Sequence, residues 1–90
     1  MIEKIVCIKN KLGLHARPAA LFVSTAAKFK SSLRVVLEDR EADGKSVMGV
    51  LMLIAGEGSQ LKIIASGPDE NELISSIENL VNENKKFNEE

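Results

Sequence analysis

Tryptophan and tyrosine are absent from the 90 residues, and the aromatic complement is three phenylalanines. Without stacking side chains, and with a net charge of −1 instead of a basic excess, nucleic-acid binding through aromatic platforms or a basic groove is unsupported. The single cysteine, Cys7, cannot form an internal disulfide; set in an apolar run, it reads as a buried structural thiol. One histidine and one cysteine also fall short of a metal site, so no metal or cofactor is expected. No apolar run approaches the roughly 20 residues that a membrane-spanning helix needs. The first apolar run is short and carries Glu3, Lys4 and Lys9, which argues against a secretory signal. These absences point to a cytoplasmic protein without membrane insertion. Paired carboxylates, a nucleophile–base–acid set and a glycine-rich phosphate loop are missing too, so a free-standing enzyme is not indicated. Ninety residues suffice for one core and not for two, and residues 1–90 read as a single domain.

What is present divides into seven segments. Ile2 to Ile8 is rich in β-branched residues and reads as a strand, followed by the loop Lys9 to Gly13. Ala19, Phe22, Val23, Ala26 and Phe29 recur at helical spacing, which predicts a helix from about Ala16 to Lys28 with Pro18 in its first turn. Leu33 to Leu37 has strand composition, and Glu38 to Gly44 reads as a turn with room for a short return strand. Ser46 opens the apolar run Val47 to Ile54 as the N-cap of a short helix, closed by Gly56-Glu57-Gly58. Gln60 to Ala65 forms another strand, with Leu61 and Ile63 on one face and Lys62 on the other. Asp69 and Glu72 have the spacing of a capping box for a terminal helix whose buried stripe is Leu73, Ile74, Ile77, Leu80 and Val81. The charged tail from Lys85 to Glu90 is expected to fray. The order β-α-β-β-α-β-α is an α+β pattern in which helices cover one face of a small antiparallel sheet. The order of strands within that sheet does not follow from this reading.

His15, the only histidine, sits where a loop becomes a helix, in Gly13-Leu14-His15-Ala16-Arg17-Pro18-Ala19-Ala20. A helix start leaves amides without intrahelical partners and carries the positive end of the macrodipole, so it welcomes an anion. The amides of Ala16 and Arg17 would face that anion, and the Arg17 guanidinium is a fork suited to phosphate oxygens. The same positive field disfavours the imidazolium, leaving a nucleophilic ring nitrogen near neutral pH. On the residues alone, two readings stand: a helix cap beside a solvated charge, or a histidine prepared to accept a phosphoryl group.

Ser46 also has two readings. Its hydroxyl can cap the short helix, and it can be a phosphorylation site at a helix start that tolerates added negative charge. Ala20 and Leu21 fall off the face defined by Ala19, Phe22, Val23 and Ala26, so the first helix has more apolar positions than one buried stripe accommodates. With Val47, Met48 and Leu51 they read either as core or as an exposed docking patch rimmed by Arg17 and Lys45.

Gly13 to Ala19 resembles the active-site signature of the HPr family, the histidine-containing phosphocarriers of the bacterial phosphoenolpyruvate:sugar phosphotransferase system. Lys45-Ser46-Val47-Met48-Gly49-Val50 resembles that family's regulatory serine segment, in the version of low-GC Gram-positive bacteria, and the likeness spans essentially the whole chain. The resemblance implies an open-faced β-sandwich with four strands and three helices. It implies that His15, through Nδ1, takes a phosphoryl group from phosphorylated enzyme I and passes it to enzyme IIA domains, with Arg17 stabilising the phosphoryl oxygens. It implies a docking surface at the apolar positions named above, phosphorylation of Ser46 by an HPr kinase/phosphorylase, and binding of that form to catabolite control protein. Such a protein is a stoichiometric carrier, not an enzyme, and a monomer is expected. The alternative is a regulatory module acting through Ser46 without phosphotransfer; the presence of His15 counts against it. Two departures touch the regulatory branch. Gly44 would loosen the loop before Lys45-Ser46, and Asp39-Arg40-Glu41 makes the hairpin unusually charged.

Overall fold

The computed structural model describes residues 1–89 of the chain. Glu90, the last residue of the tail expected to fray, lies outside the described residues. Four strands, β1 (Ile2–Cys7), β2 (Ser32–Leu37), β3 (Arg40–Asp43) and β4 (Gln60–Ser66), are interspersed with three helices, α1 (Ala16–Ala26), α2 (Val47–Met52) and α3 (Glu70–Glu83), in the order β1-α1-β2-β3-α2-β4-α3. The element order is the one read from the sequence, the return strand β3 included.

Strand order is β1-β4-β2-β3, with every neighbouring pair antiparallel. The last strand to be made therefore inserts between the first two. β1 and β2 run parallel with β4 between them, as do β3 and β4 with β2 between them, so α1 and α2 serve as the crossovers of two interlocked split β-α-β units. Side chains alternate across the sheet. Val6, Leu33, Val35, Leu61, Ile63 and Ala65 are buried under the helices, while Glu3, Ile5, Cys7, Arg34, Glu41 and Lys62 are exposed on the open face. One cross-strand row on that face runs Ile5, Lys62, Val36, Glu41. Cys7 belongs to the open side and is exposed. The expected buried thiol is thus corrected by strand phase: Val6 and Ile8 point inward, which turns the residue between them out.

Phe22, Ala19 and Ala26 from α1, and Leu73, Ile74, Ile77, Leu80 and Val81 from α3, close the core from above. The terminal helix buries the stripe predicted for it, but its start is built differently. Asp69 makes no capping bond within α3. Its carboxylate instead accepts from the Lys30 amide at 3.0 Å, the Ser31 amide at 2.8 Å and the Ser31 hydroxyl, while Ser31 Oγ accepts from the Asp69 amide at 3.0 Å. Glu70, not Glu72, reaches back, accepting from the Gly67 amide at 3.0 Å. These donors, led by the Ser31 hydroxyl, lower the Asp69 pKa to about 2, and the Gly67 amide and the N-terminal ammonium lower that of Glu70.

As far as Glu89 the tail is packed and does not fray. Phe87 is fully buried in the same core, its amide donates to Asn84 Oδ1 at 2.9 Å, and Asn88 Nδ2 donates to the carbonyls of Val81 and Asn84 at 3.1 and 2.9 Å. Gly44 does not loosen its loop either. Its amide donates to the Leu33 carbonyl at 2.7 Å, and a Cβ there would lie 2.6 Å from the Leu33 side chain, so any other residue would have to displace Leu33. Among the described residues no helix is long and apolar enough to cross a membrane, and no cluster of His, Cys, Asp and Glu could hold a metal ion.

Candidate functional site

The loop leading to α1 is held by backbone bonds within itself and by one to the segment after α2. Gly13 donates to the Asn10 carbonyl at 2.9 Å, Leu14 donates to the Ala55 carbonyl at 2.8 Å, and His15 donates to the Gly13 carbonyl at 3.0 Å. Gly13 has φ of +72°, and a Cβ on it would sit 2.4 Å from the Ala55 carbonyl oxygen, so both the turn and the close approach demand glycine. Leu14, buried in the core, fixes the next residue.

His15 occupies the N-cap position of α1 in extended conformation, and its side chain makes no capping bond. Its carbonyl accepts from the Ala19 amide at 2.9 Å, which starts the helix. Pro18 supplies a preset helical φ in the first turn, where the missing N–H costs nothing. The amides of Ala16 and Arg17 have no intrahelical acceptor, as the geometry of any helix start requires, and both residues are exposed. The imidazole is half-buried and divided in its environment. Nε2 is enclosed and has no hydrogen-bond partner, whereas Nδ1 is not among the enclosed atoms.

Two cavities meet at that ring. One, of about 230 Å³, is lined by Leu12, Leu14, His15, Leu51, Ile54, Ala55 and Gly56; the other, of about 390 Å³, by Leu12, His15, Ala16, Arg17 and Glu89. Arg17 lies in the second with its guanidinium 3.0 Å from the Glu89 carboxylate, both side chains being more than half exposed. The guanidinium predicted to meet a phosphate thus meets a carboxylate supplied by the tail. Sequence reasoning missed Glu89 because it took the tail for a fraying end. The signal that could have found it is the seven-residue step from Leu73 to Leu80 to Phe87, which continues the buried stripe of α3 beyond the helix.

The residues assigned to docking and its rim separate into three groups. Met48 is 67% exposed, Val47 38%, and Ala20 is exposed as well. Leu21 and Leu51 are half-buried against the core. Lys45 is turned away, its ammonium donating at 2.7 Å to the carbonyl of Phe29 beyond the end of α1, so it is a C-terminal cap before it is a rim charge. Three further members of the surface escaped the sequence reading: Leu12 at 69%, Met52 at 70% and Ile54 at 77% exposure. Met52 stands one helical turn from Met48, a spacing visible in the sequence, whereas Ile54 lies beyond the helix with its backbone at φ of +54°. Ser46 is the N-cap of α2, and its hydroxyl accepts from the Gly49 amide at 3.1 Å. It is half-buried.

Comparison with known proteins bears on this arrangement directly. The family model described as "PTS HPr component phosphorylation site" matches residues 2–83. The phosphocarrier protein HPr of Treponema pallidum is 43% identical over 90 residues, covering the whole of both chains. Among solved structures, HPr of Thermoanaerobacter tengcongensis superposes with a TM-score of 0.90 at 46% identity, over all of this chain and 99% of the other. A structure of an HPr dimer from the same organism matches with a TM-score of 0.76 at 45% identity, over 99% and 100% of the two chains. By its sequence and its fold alike, the chain belongs to the HPr phosphocarrier family of the phosphotransferase system.

Proposed function

We propose that residues 1–90 act as one phosphocarrier domain in which Nδ1 of His15 receives a phosphoryl group from phosphorylated enzyme I and passes it to enzyme IIA domains in sugar uptake. The observation that carries this reading is the asymmetry of the His15 ring, with Nε2 enclosed and Nδ1 open beside the first turn of α1. For Nδ1 to attack with its lone pair, the ring proton sits on Nε2. The Nδ1–P bond forms as the bond from phosphorus to the donor breaks, and the donor keeps that electron pair. The free amides of Ala16 and Arg17 and the Arg17 guanidinium then meet the phosphoryl oxygens, as fixed donors do in other phosphoryl transfers. The group remains on the protein, so the protein is regenerated only by a second partner and turns over no substrate alone.

Docking of both partners uses one surface, made of Ala20, Leu21, Val47, Met48 and Leu51 together with Leu12, Met52 and Ile54. Exposed methionines adapt to different partners, and a shared surface calls for modest affinity and fast release. The carrier is read as a cytoplasmic monomer. Ser46 is the regulatory position, a substrate for an HPr kinase/phosphorylase whose product binds catabolite control protein. Its place at the start of α2 lets the fold accept a phosphoserine while the charge beside the docking surface reverses.

Incubation with enzyme I and phosphoenolpyruvate, followed by mass spectrometry at alkaline pH, tests the central claim. Acid-labile phosphate located on His15 is expected, and its absence from a His15→Ala variant of unchanged circular dichroism. Phosphate on another residue, or none, would overturn the proposal; steady release of inorganic phosphate would point to a hydrolase.

A further inference from the structure

Resting on the phosphocarrier reading above, we propose that Asn10 is a positioning residue for the transfer: its buried amide holds the turn that sets His15 at the start of α1. Among the described residues two polar side chains lie in the interior, Ser31 and Asn10, each 1% exposed. Ser31 is accounted for by its exchange with Asp69. Asn10 has no such closed set of partners. Its neighbours Lys9, Lys11 and Leu12 are exposed, so the loop runs over the surface and this one side chain turns in. Nδ2 donates to the carbonyl of Phe87, while Oδ1 is enclosed and accepts from no described residue. A buried polar atom left unpaired costs stability that an apolar side chain of the same shape would not lose. Stability alone therefore does not account for an asparagine here.

The amide fastens the loop to the core. Three hydrogen bonds follow one another towards the histidine: Asn10 Nδ2 to the Phe87 carbonyl, the Gly13 amide to the Asn10 carbonyl at 2.9 Å, and the His15 amide to the Gly13 carbonyl at 3.0 Å. The first link has a firm end, because Phe87 is fully buried and its amide donates to Asn84 Oδ1 at 2.9 Å. The second closes the turn in which Gly13 has φ of +72°. From the other side, the Leu14 amide is held by the Ala55 carbonyl at 2.8 Å. Without the asparagine amide the Ala55 bond remains, the fastening to Phe87 is lost, and the turn and His15 can shift. The step in which the Nδ1–P bond forms and the donor's bond to phosphorus breaks is sensitive to such a shift, since a misplacement of about 1 Å can cost roughly 100-fold in rate. The docking surface, made mostly by residues of α1 and α2, stays where it is.

Rapid-quench transfer from pre-phosphorylated enzyme I, run over a range of carrier concentrations, separates attack from docking. Asn10→Leu keeps the volume of the side chain and removes its donor. It is expected to lower the saturating rate about tenfold and to leave the half-saturating concentration within about twofold of wild type, with little change in the urea midpoint. Asn10→Ala takes its place if the leucine variant does not fold. Ile74→Val, which trims the buried face of α3, is the control: it should lower the urea midpoint and still transfer at the wild-type rate. An undiminished saturating rate in the Asn10 variants overturns the proposal, as does a loss confined to the half-saturating concentration or an equal slowing of Ile74→Val. No phosphoryl group on the wild-type protein would instead remove the phosphocarrier reading, and the proposal with it.

Discussion

Ser31 and Asp69 exchange hydrogen bonds across 38 residues of chain. The Asp69 carboxylate accepts from the Ser31 amide at 2.8 Å and from its hydroxyl, and the Ser31 oxygen accepts from the Asp69 amide at 3.0 Å. The exchange joins the turn after α1 to the N-cap position of the terminal helix, so two of the three helices are tied together at one end by a single carboxylate. Gly67, just before it, has φ of +148° and comes so close to Ser31 that a Cβ would lie 2.5 Å from its hydroxyl oxygen. The tie closes only because the chain there carries no side chain.

This carboxylate makes the fold acid-sensitive in a defined window. Asp69 has its pKa lowered from 3.8 to about 2, so the stability it contributes is present above pH 4 and is lost as pH falls towards 2. Melting temperature should fall through that window, and Asp69→Asn should melt lower at neutral pH with a shallower acid slope. Glu70, shifted in the same direction by the Gly67 amide, leaves some slope behind. Parallel melting curves for wild type and variant against pH would refute the assignment.

Ser46→Ala removes the acceptor for the Gly49 amide and should cost about 1 kcal/mol, the usual value of a lost N-cap. Ser46→Asp restores an acceptor and should recover most of that stability while slowing phosphoryl transfer from enzyme I. Denaturant unfolding and initial transfer rates separate the two effects. An unchanged rate for Ser46→Asp would remove inhibition at this site from the proposed regulation.

Ile54 is a β-branched residue held at φ of +54° with its side chain 77% exposed, a conformation that costs about 1–2 kcal/mol in any residue but glycine. Ile54→Gly should therefore stabilise the domain by about 0.5–1 kcal/mol after the entropy cost of glycine is subtracted. Its side chain also walls the cavity beside His15, so the same change should raise the KM for the carrier in transfer from enzyme I. A more stable variant with an unaltered KM would show that the strain has no part in docking.

Phe87 should behave as core despite its place near the chain end. Phe87→Ala is expected to destabilise by about 3–5 kcal/mol, a loss measurable by urea unfolding. Phe87→Leu should cost much less. A loss under about 1 kcal/mol for the alanine variant would mean that the tail is not packed in solution.

Local chemistry settled most of the elements and the identity of the central residue. The 3.6-residue stripe of α3, the alternation in β4, the proline in the first turn of α1 and the serine cap of α2 depend on contacts only a few positions apart, and they can be read along the chain. His15 stood out by being alone at a helix start. What tertiary packing decided depends on segments distant in the chain. The insertion of β4 between β1 and β2, the outward phase of Cys7 and the exchange between Asp69 and Ser31 have no local signature, because a strand or a carboxylate does not record which remote partner it will meet. The tail is the sharpest instance. Its lysines, asparagines and glutamate speak for solvent, yet one phenylalanine finds the gap left beside the loop before His15, and burying it carries Glu89 to Arg17. Residue type places an imidazole at a helix start, whereas packing between distant parts of the chain decides which of its nitrogens stays open and which charges surround it.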